Sequence, residues 1–315
     1  MIYLGFDTSN YTTSAAIFDS VDFSVKQVKK LLPVKSGELG MRQSDAVFFH
    51  TQQLPEITEE LLGKSYNIKA VSASTRPRKA SDSYMPCFTV GGAAARITAA
   101  AAGIPFYETS HQIGHILAAL LGAGKEHLSL LRKPFIAFHV SGGTTDCLYV
   151  EPCERDFIRC EIFSCSADLK AGQAVDRAGV MLGLSFPCGK ALEALALKSD
   201  KTFRIKIKST DGNAHFSGLQ NQCEKQFEMG IPPPDIAKYC LSFIAQAVGD
   251  MTEFTLAKTS RDLPILFCGG VMSNKYIKEI LTERFGSENV IFSPPEFSSD
   301  NAAGVALYGF LKSRE

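Results

Sequence analysis

The chain has 315 residues, with 33 Lys and Arg against 33 Asp and Glu, so it carries no formal net charge at pH 7. With 45% hydrophobic and 21% charged residues it is excluded from the disordered polyelectrolytes, which are less apolar and strongly charged, and a neutral total excludes a polycation that grips nucleic acid along its whole length. At this length a single core stops growing, and two domains are expected, 1–131 and 132–315.

The opening, M-I-Y-L-G-F-D-T-S-N, has no basic segment and reaches Asp7 within an apolar run, which reads as a strand and not as a signal peptide. A cytoplasmic protein is expected. A second strand follows from Thr12. Arg76, Arg78 and Lys79 then crowd into S-T-R-P-R-K-A, a loop broken by proline and a candidate basic patch. Val90 to Phe106 is the most apolar stretch, but it is built of Gly and Ala and carries Arg96, short of the roughly 18 apolar residues of a membrane span. No membrane segment is expected. The nine cysteines show no C-x-x-C spacing and read as reduced core residues, with structural zinc as the lesser alternative.

Thr109-Ser110-His111-Gln112-Ile113-Gly114-His115 precedes I-L-A-A-L-L-G, a helix capped by Thr109 or Ser110. His111 and His115, four apart, share one helix face, where two imidazoles can hold one metal ion. Six histidines would give only about 0.1 such pairs by chance in a chain of this length. Surface histidines are the competing explanation. A carboxylate is the expected third ligand, and Asp300 in F-S-S-D-N-A-A-G is the candidate, against a plain helix cap. A zinc peptidase places Glu after the first His, whereas this chain has Gln112, which argues against proteolysis.

From Phe135, F-I-A-F-H-V-S-G-G-T-T-D-C-L-Y-V repeats the strand–turn–strand of the N-terminus, Thr12-Thr13 matching Thr144-Thr145. A duplicated pair of α/β domains facing each other across a cleft is the natural inference. The turn at Ser141, Gly142 and Gly143 suits a phosphate clamp, because glycine lets backbone N–H groups approach an anion; a tight hairpin needing glycine is the alternative. Asp176, in the helical run A-G-Q-A-V-D-R-A-G, is either an exposed charge beside Arg177 or an acceptor for ribose hydroxyls. Gly189 suits a Pro-Cys-Gly turn. T-F-R-I-K-I-K alternates Arg204, Lys206 and Lys208 with Phe203, Ile205 and Ile207, a strand pattern whose charges either meet RNA or protect a sheet edge. L-P-I-L-F-C-G-G-V-M-S-N-K-Y-I-K reads as strand, Gly269-Gly270 turn and helix from about Ser273, an anion site with Asn274 placed to bond a ribose or base. Neither a G-x-G-x-x-G nor a Walker lysine is present.

Seven motifs taken in order, D-T-S, S-H-Q-I-G-H, V-S-G-G-T-T, A-G-Q-A-V-D-R-A-G-V-M-L-G-L-S-F-P-C-G, N-A-H-F-S-G-L, C-G-G-V-M-S-N and S-S-D-N-A-A-G, resemble the TsaD family. These are tRNA threonylcarbamoyladenosine transferases, once known as O-sialoglycoprotein endopeptidases. The resemblance spans nearly the whole chain. It implies two duplicated actin-like, sugar-kinase-like ATPase lobes of the ribonuclease-H-like type. It implies one divalent metal, Fe2+ or Zn2+, on His111, His115 and Asp300, and an adenine nucleotide (ATP, AMP or threonylcarbamoyl-AMP) held by His139, Val140, Ser141, Gly142 and Gly143, by Asp176, by Gly189 and by Asn274. The implied reaction moves a threonylcarbamoyl group from threonylcarbamoyl-AMP to N6 of the adenosine beside the anticodon of tRNA. Implied partners are tRNA, a smaller sister paralogue and a partner ATPase, with a homo- or heterodimer as a further expectation.

The chain departs from the family's pattern at a few positions. The turn T-x-G-P-G-L is here S-T-R-P-R-K, the H-T after S-G-G is Thr144-Thr145, the opening acid is Asp7 in place of Glu, and Gln173 replaces the Glu of A-G-E-A. Asp7 is the candidate catalytic acid–base group, with ordering water or ending a strand as competing roles. Besides the transferase, the sequence leaves open a nucleotide-binding regulatory or scaffold paralogue that transfers nothing, and an ATP-dependent small-molecule kinase on the same fold.

Overall fold

A computed structural model describes the chain apart from residues 10, 34–40, 64–65, 81–82, 208, 261 and 300. The chain packs as two units, Met1–Leu128 joined by Ser299–Glu315, and Ser129–Ser298.

The first unit is built on strands β1 (Ile2–Ser9), β2 (Thr12–Asp19), β3 (Val25–Leu31), β4 (Ile68–Ser74) and β5 (Phe106–Thr109), with helices α1 (Gln43–Leu61), α2 (Phe88–Ala102) and α3 (His111–Ala123). Its sheet runs β3-β2-β1-β4-β5, with β1, β2 and β3 antiparallel and β1, β4 and β5 parallel. Successive side chains of a strand point to opposite faces, and β1 shows it. Leu4 and Phe6 join Leu54, Ile57, Leu61, Ala95 and Ala99 of α1 and α2 in one core.

The second unit holds β6 (Phe135–Val140), β7 (Thr145–Cys153), β8 (Phe157–Cys165), α4 (Ala171–Met181), α5 (Gly189–Ala196), α6 (Ser217–Glu228), α7 (Pro233–Lys258), β9 (Ile265–Cys268), α8 (Lys275–Phe285), β10 (Val290–Phe292) and the short α9 (Pro295–Ser298). The order β10-β9-β6-β7-β8 repeats the first sheet strand for strand, antiparallel at β6-β7-β8 and parallel at β6-β9-β10. Ile136, Phe138 and Val140 face a core completed by α4, α6 and α7, with Ala174, Leu219, Cys240 and Ile244 among its members. The echo read from the sequence is therefore a repeat of topology.

The last helix, α10 (Ala303–Lys312), returns to the first unit, whereas the boundary expected from the sequence keeps everything after 131 together. Glycine contacts explain the return. A Cβ on Gly5 would lie 2.4 Å from Ala306 N, and one on Gly304 would lie 1.9 Å from Gly114 O. Only residues lacking a side chain let α10 sit this close to β1 and α3. Ser72 Oγ then donates to Val305 O at 2.6 Å, and Tyr3 meets Phe310 at 5.3 Å between ring centroids.

Two further expectations are corrected. T-F-R-I-K-I-K, whose final Lys208 lies outside the described residues, belongs to neither sheet, although its burial alternates as a strand's would. The segment after β9 first makes a 3-10 turn, Gly270–Ser273, and α8 begins only at Lys275. Among the described residues no helix is long and apolar enough to cross a membrane. None of the nine cysteines forms a disulfide, and burial pushes the thiols of Cys147, Cys160 and Cys268 up to about 12.

Candidate functional site

In the first unit, the period of β1 that sends Leu4 and Phe6 to α1 and α2 sends Tyr3, Gly5 and Asp7 to the face of α10 and α3. Asp7 is 1% exposed, and its Oδ2 lies 2.7 Å from His111 Nδ1. A carboxylate, when ionised, only accepts; against it Nδ1 is the donor, and a neutral imidazole then carries its lone pair on Nε2. That is the state of a metal-ligating histidine steadied by a carboxylate. The second oxygen, Oδ1, is buried with no hydrogen-bond partner among the described residues. His115 is 5% exposed, and its ring centroid lies 4.3 Å from that of His111, whose centroid is also 6.0 Å from that of Phe88.

Helix α3 is fixed at its start by three acceptors. Ser110 Oγ accepts from Ile113 N, as expected of an N-cap, and the carbonyls of Arg76 and Pro77 accept from His111 N at 2.9 Å and Gln112 N at 3.0 Å. The basic loop is thus fastened to the helix that carries both histidines. Asp300, the expected third ligand, lies outside the described residues. Among the described residues no three His, Cys, Asp or Glu side chains form a metal cluster. The His pair with its carboxylate fits a divalent ion as two of three protein ligands.

In the second unit the sequence candidates close into a ring. The Ser141–Thr144 turn is held by the start of α4: Ala171 N donates to Thr145 Oγ1 at 3.0 Å and Gly172 N to Ser141 O at 3.1 Å. Gly172 must be glycine, since a Cβ there would lie 2.6 Å from Gly142 N. From α4, Asp176 Oδ1 accepts from Cys188 N at 2.8 Å, tying in the start of α5 beside Gly189. From α5, Glu193 Oε1 accepts from Lys275 N at 2.7 Å at the start of α8, which Asn274 caps by accepting from Ile277 N at 3.0 Å. Gly269 closes the ring: its φ is +100° and a Cβ would lie 2.2 Å from Val140 O.

Gly142, Gly143, Gly189 and Gly270 differ from those two. None has a φ in the left-handed range, and a Cβ on any of them would meet nothing within 4 Å among the described residues. Neither strain nor local packing calls for glycine there, and the open space beside the backbone is room for a ligand. Val140 is wholly buried, so only its backbone faces the turn, while His139 is half-buried on the opposite strand face. Asp176 is half-buried and not an exposed partner of Arg177, whose Nη1 donates to Gln220 Oε1. Burial holds the Asp176 carboxyl above its usual range, against the Cys188 N–H, which lowers it.

Three details have no counterpart in the sequence expectations. The start of α8, expected to be an anion site, already holds the Glu193 carboxylate. Ser141 Oγ accepts from Gly143 N and Thr144 N, so the turn occupies two of its own donors. Gln173, placed where the family has Glu, accepts from Lys170 N at 3.1 Å. The amide oxygen caps α4 in the way a carboxylate would.

Duplicated five-stranded lobes with glycine turns at the strand ends define the actin-like, sugar-kinase-like ATPase fold. The (R)-2-hydroxyglutaryl-CoA dehydratase component A of Acidaminococcus fermentans aligns with a TM-score of 0.58 at 17% identity over 100% of both chains. A ROK family glucokinase from Streptomyces griseus, solved with glucose and AMPPNP, gives 0.56 at 11% identity, again over 100% of both. The family model for TsaD, tRNA N6-adenosine threonylcarbamoyltransferase, matches residues 45–307. The chain belongs to the TsaD family. A tRNA N6-adenosine threonylcarbamoyltransferase of Campylobacter fetus subsp. fetus is 29% identical over 98% of this chain and 91% of its own.

Proposed function

We propose that the chain moves a threonylcarbamoyl group from threonylcarbamoyl-AMP to N6 of the adenosine beside the anticodon of tRNA. Family membership supports the reaction class. The observation that carries the site assignment is the 2.7 Å contact between Asp7 Oδ2 and His111 Nδ1. In the reaction a C–N bond forms between N6 and the carbamoyl carbon, the acyl–phosphate C–O bond breaks, AMP leaves, and the amine proton passes to water or phosphate.

His111 and His115 would hold one divalent ion, iron or zinc, with Asp300 as third ligand. The chemistry such an ion would supply is Lewis-acid polarisation of the carbamoyl carbonyl. Asp7 keeps His111 in the ligating tautomer; buried and engaged, it is a positioning residue rather than the general base. The backbone of His139, Val140, Ser141, Gly142 and Gly143 and the open ground beside Gly189 and Gly270 would receive the adenylate, with Asn274 Nδ2 as donor. Asp176 Oδ2 accepts from the ribose. Fixing the donor this way supplies what a weakly nucleophilic amine needs, orientation and a well-held leaving group. A smaller sister paralogue and a partner ATPase are the proposed partners, and the cytoplasm the proposed compartment.

The test is formation of the modified adenosine on a tRNA transcript by the full chain with those partners and threonylcarbamoyl-AMP. Modification by wild type that falls at least a hundredfold in His111→Ala is expected; none from wild type overturns the reading. One observation favours the second reading, a nucleotide-binding paralogue that transfers nothing: the loop fastened to α3 carries Arg76 and Arg78 beside Pro77, where the family's turn has glycines. On that reading adenylate binds, no modification forms, and His111→Ala leaves the cellular role intact.

A further inference from the structure

Although the chain is neutral overall, one stretch of the second unit is not. Between Lys198 and Lys206, together with the first turns of α7, lie Lys198, Lys201, Arg204, Lys206 and Lys238 against only Asp200 and Asp235. The segment runs along α7 and is fixed to it. Lys201 pairs with Asp235 at 2.7 Å, Phe203 packs edge-on against Tyr239 with centroids 5.4 Å apart, Ile205 and Ile207 rest on the core, and Gly212 abuts Phe254. Lys238 Nζ donates to Ser199 O at 2.6 Å. With the apolar side chains turned inward, Lys198, Arg204 and Lys206 are exposed and make no ion pair with a described residue.

Pairing as an edge strand does not account for these cations, because the segment is part of neither sheet. The molecule shows what edge lysines do. On β3, an edge strand, Lys26 Nζ donates to Leu61 O, Lys29 Nζ to Ser299 Oγ, and Lys30 pairs with Glu56 at 2.7 Å. Each of those charges is engaged within the fold, whereas Lys198, Arg204 and Lys206 stand on a segment fastened to α7 and face water.

We infer that the Lys198–Lys206 segment is a docking surface for the phosphate backbone of RNA, contacted through Arg204 and Lys206 with Lys198 beside them. A neutral protein whose substrate is a polyanion needs a local concentration of cations to attract it, and this row has the sign, the exposure and the fixed mounting. The inference rests on the reading of tRNA as substrate and names a surface for it.

The experiment is binding of an unmodified tRNA transcript to the full chain across a salt series. For Arg204→Glu with Lys206→Glu, affinity at about 0.1 M salt is expected to fall at least tenfold, and the slope of log K against log salt to shrink by about 1 to 2. Arg204→Lys with Lys206→Arg and, as an engaged-lysine control, Lys30→Gln are expected to stay within about twofold of wild type. Circular dichroism melts verify that each variant is folded. Unchanged affinity and slope in the double reversal, with or without loss of a protein partner, overturn the surface while leaving the transferase reading in place. A wild-type chain that binds no tRNA overturns both.

Discussion

The two lobes share one strand order, yet they differ where β1 meets β2 and β6 meets β7. The first hairpin passes from Ser9 to Thr12, and the chemistry of that lobe comes from a side chain inside the strand, Asp7, reaching a helix. The second turns through 141–144, and its chemistry lies in the turn itself, with Gly142 and Gly143 opening onto free space. The same scaffold thus offers a histidine held by a buried carboxylate in one copy and an open backbone surface in the other. A held imidazole can keep one tautomer, and an open turn can receive an anion.

Separating these two devices is the strongest way to break the comparison. His111→Ala with His115→Ala should abolish metal binding, measured by elemental analysis, while AMP affinity by calorimetry stays within about twofold, because no atom of the second lobe's ring is touched. Metal retained at wild-type stoichiometry would remove the first lobe's role. More finely, Asp7→Asn should weaken metal affinity about 10- to 100-fold, the usual effect of losing a carboxylate behind a ligating histidine, without changing the fold. In the second lobe, Gly270→Val should keep wild-type stability yet weaken AMP at least tenfold, about 1.4 kcal/mol, since the new side chain enters open space. Gly172→Ala should act oppositely. Its Cβ meets backbone of the Ser141 turn, and a loss of about 1–3 kcal/mol is expected in denaturant unfolding.

The smallest effect concerns a support common to neither site. Asp168 accepts from Ser217 Oγ and from the N–H groups of Phe216, Ser217 and Leu169, securing the start of α6. Burial opposes its charge, but these bonds prevail and hold its carboxyl below the ordinary range. A depressed folded-state value contributes stability above the unfolded value and loses it as pH falls through the folded one. Asp168→Asn should therefore cost about 1–2 kcal/mol near neutrality, and its deficit in melting temperature should begin to shrink only as pH falls below about 4.

Local signals made much of this legible. The strand–turn–strand echo pointed to duplication, and the histidine spacing to a shared helix face. Other features were set by contacts between distant residues. The alternation of T-F-R-I-K-I-K records one side against α7, which a strand and an unpaired segment share. Nothing in K-A-L-E-A-L-A says that Glu193 reaches the start of α8, nor in S-T-R-P-R-K that two carbonyls end on α3. Nothing in A-G-V-A-L-Y-G-F says that α10 packs against β1 and α3 of the first unit.

That last helix also orders events during synthesis. The second lobe is one continuous stretch, Ser129–Ser298, and can complete its core as soon as it has emerged from the ribosome. The earlier-made lobe must wait with Gly5 and Tyr3 uncovered until residues 303–312 arrive. Translation halted just short of them would thus release a chain whose newer half is finished and whose older half is not.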